Sequence, residues 1–304
     1  MIVTSTEFYR KAFLEDYALG GFQAYNMEMV QGIVEACSAE RSPAIVQSSC
    51  RGVRYAGAET LFQIARIASE KADIPVVLHL DHGDGIELCK QAIDAGFSSV
   101  MLDNTDMPLE EQAERTKVVA DYAHDHGAVL EGEIALRGDF PEVWRTSVES
   151  AVAFCNYTGC DSLSVCVGNS HALYGRGFPE GMTPHLHLKL LADIHDALPQ
   201  MPLVLHSINC CQQPDLIDRF NQTGGKRIRH NGFLLEELHL AFQLGVVKCN
   251  VGVDKTSMTV GIREYLSDHP EAEDPRKYLG NGKSVMKSAI RQQMQVLFMS
   301  SNKL

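Results

Sequence analysis

The sequence has no Cys-x-x-Cys pair, although it carries nine cysteines, at 37, 50, 89, 155, 160, 166, 210, 211 and 249. That argues against a zinc ribbon, and the odd count argues against a disulfide framework. Most of these cysteines sit inside apolar runs such as "LSVCVG" and "VVKCNV" and read as small buried hydrophobes in a reducing compartment. No stretch approaches the roughly 18 apolar residues of a membrane span. The start, "MIVTSTEFYRKAF", lacks the basic segment and apolar run of a secretory leader. Positive charge is scarce: 27 Lys and Arg stand against 39 Asp and Glu, for a net charge of −12. Such a chain is a poor candidate for binding nucleic acid or an anionic membrane. Linkers and low-complexity segments are also missing. These absences predict a soluble cytoplasmic protein built as a single domain over 1–304.

What is there is rhythm. Short apolar runs rich in β-branched residues recur at 17–24, 43–49, 75–81, 98–103, 128–134, 162–168, 202–207 and 247–251. Each is nearly continuously apolar, as a strand covered on both faces must be. Helical spacing fills the gaps. Met27, Val30, Val34 and Cys37 share one face, and Leu61, Ile64, Ala65 and Ala68 share another. Gly96 and Gly127 stand where two further helices should stop. Eight strand–helix units in succession predict an α/β fold closed as a (β/α)8 TIM barrel. About 40 residues separate His206 from the last strand, more than one such connection needs. The extra piece, about 219–232, reads as an insertion. It is locally basic, with Arg219, Lys226, Arg227 and Arg229.

The C-terminal strand ends of such a barrel carry its chemistry. Strand three ends in Asp81, His82, Gly83 and Asp84, and strand four in Asp103. Strand five carries Glu131 and Glu133. Gly168, Asn169, Ser170 and His171 follow strand six, His206 ends strand seven and Asn250 ends strand eight. Three histidines and several carboxylates therefore converge on one rim, the ligand set expected of Zn2+ or a similar divalent ion. His79 lies two residues before Asp81 and reads as core or as a support of the site. His124, His126, His185, His187, His195 and His230 read as surface or capping residues.

The segment "LHLDHGDGIELCKQAIDAGFSSVMLD" (78–103), with "ERSPAIVQSS", "RYAG", "GNSHALYG", "GIREYL" and "DPRKYL", resembles the class II, metal-dependent fructose-bisphosphate and tagatose-bisphosphate aldolases. The resemblance runs from about residue 2 to the C-terminus. It implies that His82, His171 and His206 bind the metal, most simply Zn2+, with Asp103 and Glu133 at a second or alternative position. It implies Asp81 as the acid/base and Asn250 as a contact to the ketose-derived part of the substrate. Further substrate-binding candidates are Asn26, Ser49, Ser207, Asn209, Lys255, Arg227 and Arg229. The family's habit of assembly implies a homodimer or larger homo-oligomer.

Two loops depart from the family pattern. Where the family has Gly-Gly-Ser-Gly after its strand-seven histidine, this chain has Ser207, Ile208, Asn209 and Cys210. Where the family has Asn-Val-Asp-Thr, it has Asn250, Val251, Gly252 and Val253. Those loops hold the substrate phosphate in the family, and glycine lets main-chain amides approach an anion. Asp139 or Glu142 in "ALRGDFPEVW" can stand in for a carboxylate after strand five. Three readings stay open. The first is a metal-dependent aldolase of a ketose or ketose phosphate whose phosphate region departs from the family. The second is an ordinary fructose- or tagatose-bisphosphate aldolase. The third is a non-catalytic partner subunit, against which the retained histidines and Asp81 argue.

Overall fold

The computed structural model describes residues 1–134, 145–169, 183–208, 214–227 and 232–304. Eight parallel strands close in sequence order: β1 (Leu19–Gln23), β2 (Ala44–Ser49), β3 (Val76–Gly83), β4 (Ser99–Leu102), β5 (Val129–Glu133), β6 (Ser162–Ser164), β7 (Leu203–Leu205) and β8 (Val246–Asn250), with β8 pairing back to β1. All eight apolar runs are strands, and the barrel is the (β/α)8 fold that they predicted. Each strand is buried along almost its whole length, because helices cover the outer face and side chains fill the inside.

The described helices are α1 (Thr6–Leu14), α2 (Met27–Ala39), α3 (Cys50–Ala56), α4 (Ala58–Ala72), α5 (Ile86–Asp94), α6 (Leu109–Asp125), α7 (Val148–Thr158), α8 (Leu188–Ala197), α9 (Pro214–Gln222), α10 (Leu235–Gln243), α11 (Val253–Asp268) and α12 (Pro275–Val296). The periodic face of α2 buries Val30, Val34 and Cys37, and that of α4 buries Leu61, Ala65 and Ala68. Gly96 and Gly127 follow α5 and α6 with φ of +105° and +72°, which only glycine adopts without strain. The segment expected as an insertion begins as helix, since Arg219 to Gln222 form the end of α9. Of its basic residues, Arg219 is spent on Glu264 of α11 through two hydrogen bonds of 2.7 and 2.8 Å.

Tyr9 and Ala12 of α1 pack with Leu19, Ile45 and Val77, which lie near the starts of their strands. This floors the barrel at its N-terminal end, away from the chemistry. The last two helices cross closely: a Cβ on Gly261 would lie 2.8 Å from the Gly282 Cα, so glycine permits the contact. No described helix is long and apolar enough to cross a membrane. Of the seven described cysteines, all but Cys50 are buried.

Candidate metal centre

Strict alternation would send Asp81 and His82 to opposite faces of β3. The pairing of β3 with β4 shifts register between Leu80 and Gly83, and His82 adopts φ +55°. The irregularity re-aims the histidine, as bulges beside active sites do, so both side chains meet at the C-terminal rim. His82 lies 3.9 Å from Asp81, measured from Nε2 to Oδ1. Ser207, directly after His206, also has a left-handed backbone at φ +59°.

His82 and His206 face each other edge to face, ring centroids 4.9 Å apart. Each ring is oriented by a carboxylate on its far side. His82 Nδ1 donates to Asp103 at 3.1 Å, and His206 Nε2 donates to Glu131 at 2.7 Å. The remaining nitrogens, Nε2 of His82 and Nδ1 of His206, lie 3.0 Å apart. Two imidazole nitrogens sit this close only with a proton or a cation between them. Carboxylates that orient histidines in this way are the usual support of a metal site.

The local charge favours a cation as well. Asp81, Asp103, Glu131 and Glu133 surround the two rings, and among the described residues Lys248 pairs with Glu131 below them. Burial would lower the His82 imidazole, but Asp81, Asp103 and Glu133 outweigh it and push it up to about 10. Burial pushes Glu133 up to about 7 despite the nearby His82. Ligand atoms of Asp81, His82 and His206 lie within 4.8 Å of one another, and so do those of His82, Asp103 and Glu133. This nitrogen and oxygen donor set fits Zn2+ or a similar divalent ion. Glu133 also reaches His206, Oε1 to Nδ1, at 3.7 Å. His171, Asn209 and Arg229 lie outside the described residues, as do Asp139, Glu142, His230, Cys210 and Cys211.

Asp81 is held from two sides. Its Oδ2 accepts from Gln23 Nε2, and its Oδ1 accepts from Asn250 Nδ2 at 2.9 Å. Burial would raise this carboxyl, yet His82, His206 and Lys248 together hold it below the usual range. Gln23 is fixed in turn: its backbone N–H donates at 2.8 Å to Asp254, a carboxyl that burial pushes up to about 6. Below the rim, Lys248 is wholly enclosed and its Nζ donates to Glu131 at 2.8 Å. Lys248, Glu131 and His206 thus form one continuous chain. His79 is buried and pairs with Ser99 at 2.8 Å, in keeping with its reading as core.

The sequence reading missed Gln23, Lys248 and Asp254 and gave Glu131 no role. The signal was present as a polar residue in a run otherwise apolar: "GFQA", "VLEGE" and "VVKCN". Asn26 and Ser49, offered as substrate contacts, are helix N-caps. Asn26 Oδ1 accepts from Met29 N, and Ser49 Oγ accepts from Gly52 N. Ser49 still lies opposite Asp81 in the β2–β3 register. Lys255 sits in the first turn of α11, beyond the rim. His124 and His185 pair with Asp161 and Glu237, and His126 with the Tyr122 carbonyl, as surface and capping residues do.

A closed parallel barrel with paired imidazoles and a locked carboxylate at its C-terminal rim has the arrangement of a metal-dependent enzyme. Residues 3–303 match the family described as fructose-bisphosphate aldolase class-II. The chain is 35% identical over 306 residues to the fructose-bisphosphate aldolase of Thermus caldophilus, covering 97% of this chain and 98% of that one. It is 38% identical over 277 residues to that of Giardia intestinalis, covering 89% and 84%. Its fold matches the crystal structure of the YdjI aldolase from Escherichia coli K12 with a TM-score of 0.79 at 24% identity, over 100% of this chain and 99% of that one. The chain belongs to the class II fructose-bisphosphate aldolase family, whose members are metal-dependent carbon–carbon lyases.

Proposed function

We propose that this chain cleaves and forms a carbon–carbon bond in a ketose or ketose phosphate, with a divalent ion, Zn2+ in the simplest case, held by His82, His206 and His171. Asp103 orients His82 and, with Glu133, offers a second position for an ion. The observation that carries the reading is the lock on Asp81. Both of its oxygens accept hydrogen bonds within one side chain of the facing imidazoles. A bound divalent ion supplies Lewis acidity toward the substrate carbonyl. Asp81 takes the proton of the neighbouring hydroxyl as the bond breaks and returns it in the reverse direction. Gln23 and Asn250 keep the carboxylate aimed, His82, His206 and Lys248 keep it ionised, and Asn250 lies where the ketose-derived half would sit. No lysine imine is needed. The protein acts in the cytoplasm as a homodimer or larger assembly.

The phosphate is held differently from the family pattern. Ile208, in the loop after β7, is buried, and its backbone N–H is spent on the Asn250 carbonyl at 3.1 Å. That amide is not available to an anion. Val253, after β8, is buried too. The relatives' name favours fructose 1,6-bisphosphate as the alternative substrate. A retro-aldol screen of ketoses, with and without phosphate, on zinc-loaded protein decides between them. The expected result is cleavage of another ketose or ketose phosphate, with fructose 1,6-bisphosphate a poor substrate. A kcat/KM for fructose 1,6-bisphosphate of about 10⁴ M⁻¹s⁻¹ or above selects the ordinary bisphosphate aldolase instead.

A further inference from the structure

A groove of about 650 Å3 runs between α9 with its following loop and α11, within the roughly 300–1,000 Å3 common for small-molecule sites. Lys226, Arg227, Lys255 and Arg263 line it, and among the described residues no acidic one does. Among the described residues none of these four cations makes an ion pair. Of the nearby carboxylates, Glu264 is engaged with Arg219, and Asp254 accepts from the backbone N–H groups of Gln23 and Lys255 and lies within electrostatic reach of Lys255. In a chain of net charge −12, four cations around one concavity, with Asp254 offsetting only Lys255, create a local field that attracts an anion.

The groove is built rather than incidental. Phe220 forms its floor, with the Arg263 guanidinium carbon 4.4 Å and that of Arg227 5.9 Å from the ring centroid. Stacking on a shared ring restrains both forks before any ligand arrives. Any side chain at 225 would collide with that ring, since a Cβ there would lie 2.1 Å from Phe220 Cδ1. The loop is tied back by Asn221, which accepts from the Arg227 N–H at 2.8 Å and donates to its carbonyl at 2.9 Å. Arg227 Nη1 donates to Thr256 Oγ1. Arg263 Nη1 is buried with no hydrogen-bond partner, a donor left open at a place where water is excluded.

The groove begins at the catalytic rim. Gly252 lines it and is two residues from Asn250, whose amide touches Asp81. Two residues of chain span at most about 7 Å. We propose that this groove is a phosphate-binding site that takes the anionic end of the sugar substrate, in place of the altered loops after β7 and β8. A phosphate monoester offers the oxygens that two guanidinium forks and two ammonium groups require. The assignment of that phosphate to the substrate rests on the aldol reading; the binding of phosphate does not.

Inorganic phosphate titrated into the purified protein by calorimetry is expected to bind saturably. Arg263→Met and Arg227→Met, which keep apolar contact with Phe220, are expected to weaken binding about tenfold or more, while Arg66→Met on α4 leaves it unchanged. Non-saturating heats, or equal affinity in the Arg263 and Arg227 variants, overturn the site. Acetate binding as tightly as phosphate overturns its phosphate character. With a phosphorylated ketose, the same two variants are expected to raise KM about fivefold or more with little change in kcat, the mark of binding shared by ground and transition states. An unchanged KM in variants that no longer bind phosphate overturns the link to the substrate. If no ketose is cleaved at all, the aldol reading fails, and the titration alone still decides whether the groove binds phosphate.

Discussion

Asp81→Asn is expected to lower kcat for carbon–carbon cleavage by about 10²–10⁴, the usual worth of a positioned general acid–base group, while the protein folds and keeps its metal. Both Asp81 oxygens accept from side-chain amides, Gln23 on one side and Asn250 on the other. The asparagine amide must place its own NH2 against one of those donors, a local cost of about 1–3 kcal/mol that a large barrel tolerates. What it cannot do is take up a hydroxyl proton at neutral pH. A carboxylate that only steadied His82 would behave otherwise: its loss would weaken metal binding and leave kcat near normal at saturating metal. Steady-state kinetics with parallel metal analysis separates the two. A near-normal kcat in Asp81→Asn removes this residue from the chemistry.

Lys248→Met is expected to destabilise the protein by about 3–5 kcal/mol, the cost of breaking a buried pair and stranding one charge. Lys248 and Glu131 are both enclosed at 2.8 Å, with no water to take over from the ammonium. The second consequence lies at the rim. Glu131 orients His206 at 2.7 Å, and carboxylates in that role are worth about 10–100-fold in metal affinity. Glu131→Gln should therefore weaken metal binding even where the fold survives. The double variant Lys248→Met/Glu131→Gln removes both charges and is expected to recover much of the stability lost in Lys248→Met. Urea unfolding of the three variants reads the effect. Equal stability of Lys248→Met and the wild type would mean that the pair carries no structural weight.

The eight strands were legible because burial on both faces leaves so plain a mark, and the helices because one face of each repeats at helical spacing. The register shift at His82 was not legible. Period-two reasoning sends that side chain away from Asp81, and only the pairing of β3 with β4 reveals the left-handed backbone that brings it back. Asp103, Glu133, His206 and Asn250 were found from their places at strand ends. Lys248 and Gln23 were overlooked because each is a lone polar residue among hydrophobes, and its partner is distant in sequence. Asn26 and Ser49 show a role that their place in the sequence hid: the side-chain oxygen of each caps the next helix. The basic insertion was visible as composition. Its counterpart Arg263 was not, because it lies in an ordinary helix whose facing element only the fold supplies.

The central claim is that cleavage depends on a divalent ion held by the rim histidines. The most direct test measures zinc content and carbonyl release from a ketose substrate together, on wild-type protein, on chelator-stripped protein and on His206→Ala. The account predicts stoichiometric zinc in the wild type, loss of cleavage on stripping with recovery on added zinc, and low zinc with little cleavage in His206→Ala. Full metal occupancy in His206→Ala, or cleavage that persists in the stripped protein with borohydride trapping a lysine imine, would contradict it.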